Sequence, residues 1–68
     1  MKNKLLKAAQ LQFEAQKAKA EVNLEVYLKN AAGVGEHPGI VEEVMSLTKL
    51  IAEAEECIKI LNDLKEKK

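Results

Sequence analysis

Sixty-eight residues carrying equal numbers of basic and acidic side chains, 11 of each, amount to one small domain with no electrostatic pull towards nucleic acid. With one cysteine, Cys57, no intrachain disulfide can form, and two aromatic residues are too few for a base-stacking platform. No stretch approaches the roughly 18–20 apolar residues of a membrane span, and no apolar run follows the basic start Lys2, Lys4, Lys7, so a cytoplasmic protein is expected.

The first predicted element is a helix over about residues 3–32. Ala, Leu, Lys, Glu and Gln dominate it, all strong helix formers, and Asn3 is the expected N-cap. Glu25 stands four before Lys29, the favourable order for a helix ion pair. At 100° per residue the apolar side chains form two stripes on opposite sides. One holds Leu6, Ala9, Phe13, Ala20, Leu24, Tyr27 and Ala31, with Leu28 beside it. The other holds Ala8, Leu11, Ala15, Ala18, Val22 and Val26. Polar strips separate them, Gln12, Gln16, Lys19, Asn23 and Asn30 on one side and Lys7, Gln10, Glu14, Glu21 and Glu25 on the other. A helix in a monomeric hairpin needs one apolar stripe; two opposed stripes imply two partners, the second helix and another chain.

The connector follows. All three glycines and the single proline fall within Gly33–Gly39. Gly33 is the expected left-handed helix stop, with Val34 packing back as in a Schellman motif. His37 is the expected N-cap of the next helix and Pro38 its first residue, since proline disfavours helical geometry in the residue before it and suits the first helical position. Glu36, Glu42 and Glu43 complement the positive end of the helix dipole. Glu36 and His37 could in principle do acid–base or metal chemistry. The chain has no second histidine, though, and Cys57 lies more than five turns away, so capping is the expected role.

The second predicted helix covers about residues 38–66. Ile40, Val44, Leu47, Ile51, Ala54, Ile58 and Leu61 alternate steps of four and three, a heptad pattern that Lys65 closes. A flanking column, Leu50, Cys57 and Leu64, recurs every seven residues and widens the stripe, as in a bundle. The seven-residue repeat predicts a left-handed supercoil. Cys57 reads as a small buried hydrophobe. Val41, Met45, Thr48 and Ala52 form a shorter patch on the back, level with Val22 and Val26 of the first helix. Glu55 with Lys59 and Asp63 with Lys67 are expected i,i+4 pairs.

The run Val26-Tyr27-Leu28-Lys29-Asn30-Ala31-Ala32-Gly33-Val34-Gly35-Glu36-His37-Pro38-Gly39-Ile40-Val41-Glu42-Glu43-Val44, with Ala52-Glu53-Ala54-Glu55-Glu56 and Ile58-Lys59-Ile60-Leu61, resembles very small proteins of tailed bacteriophages. Those proteins carry a Gly-Val/Ile-Gly-Glu-His-Pro connector between two helical halves. The resemblance covers roughly residues 20–62. It implies a phage origin and a helical hairpin, and it transfers no catalytic or binding residue. Where such proteins tend to have Asp after the proline, this chain has Gly39.

These readings converge on an all-α, single-domain antiparallel hairpin, residues 1–68, that assembles into an oligomeric bundle. Below roughly 70–80 residues one core rarely supplies more than ~3–5 kcal/mol, so self-association is expected. The expected function is a non-enzymatic interaction protein, a phage accessory or virion-assembly factor, binding itself and a host or phage protein. Leu11, Val22, Val26, Val41 and Met45 are the candidate interaction residues. No cofactor, metal, nucleic acid or membrane partner is expected. The alternative is an oligomer that sequesters a signalling nucleotide used in host defence, favoured by Gln12, Gln16, Asn23 and Asn30. All eleven basic residues are lysine, however, which lacks the bidentate phosphate fork of arginine. No nucleophile–base constellation or phosphate loop points to an enzyme.

Overall fold

The computed structural model describes residues 1–29 and 39–66. Within them the chain forms two helices, α1 (Lys2–Lys29) and α2 (Ile40–Glu66), packed on each other along their lengths. No strand occurs among the described residues. The all-α hairpin is therefore as the hydrophobic periodicity implies. Helices of 28 and 27 residues rise about 1.5 Å per residue, roughly 40 Å each. The molecule is accordingly a rod of 53 × 13 × 13 Å.

The helix starts differ from the sequence expectation. In α1 the first intrahelical bond is donated by the Leu5 amide to the Met1 carbonyl at 3.0 Å. Met1 thus holds the capping position, and Asn3 lies inside the first turn instead of capping it. In α2 the Glu43 amide donates to the Gly39 carbonyl at 3.0 Å, so the described helix begins from Gly39. Glu42 and Glu43 occupy its first turn, where they meet the positive end of the helix dipole. The expected stop at Gly33 and Val34 and the expected cap and first residue, His37 and Pro38, lie outside the described residues.

The seam between the helices is narrow. Ala20 of α1 and Leu47 and Ala54 of α2 are buried. Leu6, Ala9, Phe13, Leu24 and Tyr27 are half-buried against them, as are Ile40, Val44, Ile51, Ile58 and Leu61. These are the first stripe of α1 and the heptad stripe of α2. The small side chains of Ala20 and Ala54 let the backbones approach near mid-length, while Phe13, Leu24, Leu47 and Ile58 fill the space around them.

Two polar residues also occupy the seam of α1. Gln10 and Lys17 are half-buried, and with them the inward positions read Leu6, Gln10, Phe13, Lys17, Ala20, Leu24, Tyr27, an unbroken four–three alternation. Each is met from α2. Lys17 Nζ lies 3.2 Å from Glu55 Oε2. Lys65 Nζ donates to Gln10 Oε1 at 3.3 Å, and Gln10 Nε2 donates to Glu14 Oε2 at 3.0 Å. Polar seam residues with matched partners fix the register of two sliding helices, because a one-turn slip leaves each half-buried group unpaired. Glu55 therefore reaches across the hairpin to Lys17 and not along its own helix to Lys59. The expected pair of Glu25 with Lys29 forms at 3.0 Å and is solvent-exposed on both sides, so it adds little. Lys67, the expected partner of Asp63, lies outside the described residues.

Candidate interaction surface

The seam and the helical repeat together assign every other residue to a side of the rod. Back-to-back with the seam, α1 presents Leu11, Val22 and Val26, all exposed. Val41 and Met45 are exposed as well, on the outer side of α2. The five candidate interaction residues are thus all at the surface. They do not form one patch. Leu11 and Val22 look away from α2 and Val26 borders the grooved flank, whereas Val41 and Met45 look away from α1. Thr48, beside the second group, turns its hydroxyl inward along the helix and donates to the Val44 carbonyl at 2.7 Å.

The two flanks of the seam differ in chemistry. One flank carries Lys7, Glu14, Glu21 and Glu25 of α1 with Glu55 and Lys59 of α2, and the Lys17–Glu55 bridge spans it. The other carries uncharged Gln12, Gln16 and Asn23 of α1 beside the Leu50, Cys57 and Leu64 column of α2. Its charges among the described residues include Lys2, Lys19, Glu43 and Glu53.

This second flank is grooved. A depression of about 200 Å³ is lined by Gln16, Lys19, Ala20, Asn23, Leu47 and Leu50. A wider one of about 500 Å³ continues towards the connector end between Asn23, Val26, Tyr27, Glu43 and Leu47. Both open to solvent along the side of the rod. Leu50 is 47% exposed, Leu64 41% and neighbouring Ile60 48%. Cys57, between the leucines, is a half-buried free thiol. The reading of Cys57 as a core residue is therefore met only in part: the column borders the core without being covered by α1.

Two features of this surface escape a scan for apolar residues. Gln10 and Lys17 are polar, so they drop out of any stripe defined by hydrophobicity, yet the four–three spacing from Leu6 to Tyr27 marks them. The uncharged strip Gln12, Gln16, Asn23 is legible in the sequence, but its apposition to the leucine column depends on how the helices face one another.

Among the described residues no group of three or more His, Cys, Asp or Glu side chains converges as a metal site would require. No helix among them is long and apolar enough to cross a membrane. No protein-family model matches the chain, and neither a curated protein nor a solved structure matches it.

Proposed function

We propose that the chain is a non-enzymatic interaction protein that works as an assembly of helical hairpins and presents its remaining helix faces to a protein partner. In a phage setting, which the connector motif suggests, this is the part of an accessory or assembly factor. The observation that carries the reading is the shortfall of burial. A compact monomer of 7.6 kDa exposes about 4,300 Å² by the general relation of surface to mass. This hairpin exposes 5423 Å². The excess, about 1,100 Å², is of the order of the ~800 Å² that each partner contributes to a standard protein interface.

The apolar content of the exposed surface supports the same reading. Leu5, Leu11, Val22, Leu50, Ile60 and Leu64 are each more than a third exposed in a molecule with three buried residues among those described. Soluble monomers seldom leave that much large apolar surface uncovered relative to their core.

The nucleotide-sequestering alternative gains less. The groove beside Gln16 and Asn23 is smaller than the ~300–1,000 Å³ typical of a small-molecule site, and it is open along its length. Lys19 is the cation that lines it. The wider depression is bordered by Glu43, which repels a phosphate.

Size-exclusion chromatography with multi-angle light scattering, run from low to high micromolar chain, tests the proposal. The expected mass is twice 7.6 kDa or a higher multiple, with helical circular dichroism. A folded species that stays at 7.6 kDa across the range overturns it.

A further inference from the structure

We infer that the covering partner of the Leu50–Cys57–Leu64 flank is a second copy of this chain, docked antiparallel so that α2 packs on α2 with Cys57 at the two-fold axis. This rests on the self-association proposed above and names its surface and geometry.

Two observations single out this flank. First, it is the side of the hairpin where charge is sparse. The opposite flank, with Lys7, Glu14, Glu21, Glu25, Glu55 and Lys59, would have to desolvate several ions to pack against anything. Second, the flank is continuous with the core. Leu47 is buried in the seam yet lines both depressions, so a second hairpin seated there would complete the wall that α1 leaves open. The surface excess of about 1,100 Å² per chain, a property of the whole hairpin, is of the size that one face of an interface removes.

The orientation follows from the sequence of the column. Leu50, Cys57 and Leu64 are evenly spaced, with the smallest side chain in the middle. In an isologous antiparallel contact the central residue meets its own copy, and the outer two exchange. Leu50 then packs on Leu64 of the partner at both ends, and the small Cys57 lets the helices close at the axis. The alternative two-fold axis, along the rod, sets the leucine column against Gln12, Gln16 and Asn23 of the partner. That pairing buries amide groups against hydrocarbon at a cost. The antiparallel choice instead sets α1 on α1, where Gln16 at the level of the axis meets its own copy and the two amides can hydrogen-bond.

The overlap is extensive. Lys17–Glu55 and Gln10–Lys65 fix the helix register and place Cys57 level with about residue 16 of α1, the midpoint of Lys2–Lys29. An axis through Cys57 therefore lies at the middle of α1 and pairs residues 48–66 of α2 with their copies, while the first two turns of α2, residues 40–47, extend past the partner's α2.

The test uses the full chain and its single cysteine. Diamide oxidises two thiols to a disulfide and takes up their two electrons and two protons to become its hydrazine, and a disulfide spans the short gap left where the helices close at the axis. Treated under native conditions, the chain is expected to give a covalent dimer of about 15 kDa, twice 7.6 kDa, in high yield. In denaturing urea the yield should fall at least ~10-fold. Cys57→Ser combined with Val22→Cys moves the thiol to the outer side of α1 and should not cross-link.

In light scattering, Leu50→Lys with Leu64→Lys should raise the dimer dissociation constant by ~100-fold or more, since each buries an unpaired ammonium. Val22→Lys and Met45→Lys should leave it within about 3-fold. A stable dimer that resists the Leu50 and Leu64 changes but dissociates with Val22→Lys overturns this face and leaves self-association standing. A monomer at every concentration overturns both. If the double lysine variant loses its helical signal, the cross-link on the unaltered chain still decides: a dimer by mass that yields no Cys57–Cys57 disulfide under oxidation rejects the geometry.

Discussion

Lys17 is the sharpest test of how this hairpin is held in register. Its side chain is 31% exposed, in the seam, and its partner Glu55 is 56% exposed. The perturbation is a double-mutant cycle: Lys17→Met, Glu55→Gln and the two together. Methionine keeps the unbranched stem and its packing while removing the ammonium. The 3.2 Å contact sits at the edge of the seam, in water on the Glu55 side, so its coupling belongs with exposed pairs at about 0.2–1 kcal/mol. Against that loss, burying a methionine tip in place of an ammonium gains about 1 kcal/mol. Lys17→Met is therefore expected to be neutral or stabilising by up to ~1 kcal/mol, and Glu55→Gln to cost less than ~1 kcal/mol. Urea unfolding followed by circular dichroism, at one fixed chain concentration because assembly shifts apparent stability, gives both numbers. The coupling should shrink in ~0.5 M salt, where the screening length falls to about 4 Å. A loss above ~1.5 kcal/mol for Lys17→Met would instead mean that the pair acts as a buried ion pair whose orphaned carboxylate is costly, contrary to the exposed-pair assignment.

Further outcomes follow from the same contacts. Leu47→Ala, which empties the buried position common to the seam and both depressions, should cost about 2–5 kcal/mol in urea unfolding and should lower any dimer mass seen by light scattering. Gln10→Leu converts a polar seam position to an apolar one and leaves Lys65 free to reach water. A gain of about 1 kcal/mol is expected, measured as a rise in midpoint temperature of ~4–8 °C. Gly39→Asp puts a side-chain acceptor at the start of α2, whose first bond already runs to the Gly39 carbonyl, and should raise stability by a few tenths of a kcal/mol, with the gain lost in acid as the carboxylate protonates. Thr48→Ala removes a hydroxyl that only bonds back to Val44 and replaces a weak helix former with the best one. Thermal unfolding should show a gain of up to ~0.5 kcal/mol.

The pair of helices, the break between them and the inward stripe of α2 can all be read from the order of residues. Two long runs of strong helix formers, free of glycine and proline and with apolar residues at three–four spacing, favour helix over strand, and the Ile40-to-Leu61 heptads are apolar at every step. The opposed stripes of α1 are visible too, and the bulkier one, with Leu6, Phe13, Leu24 and Tyr27, faces α2 because it removes more apolar area from water. Only the tertiary structure decided that Gln10 and Lys17 belong to the seam. A position is inward by geometry, whatever its polarity, and a polar side chain is tolerated there only because Lys65 and Glu55 arrive from the other helix. Likewise, sequence spacing lists Gln12, Gln16, Asn23, Leu50, Cys57 and Leu64 as unrelated strips on two helices. Their meeting on one flank depends on the rotation of each helix about its own axis, which the register contacts set and no local pattern encodes.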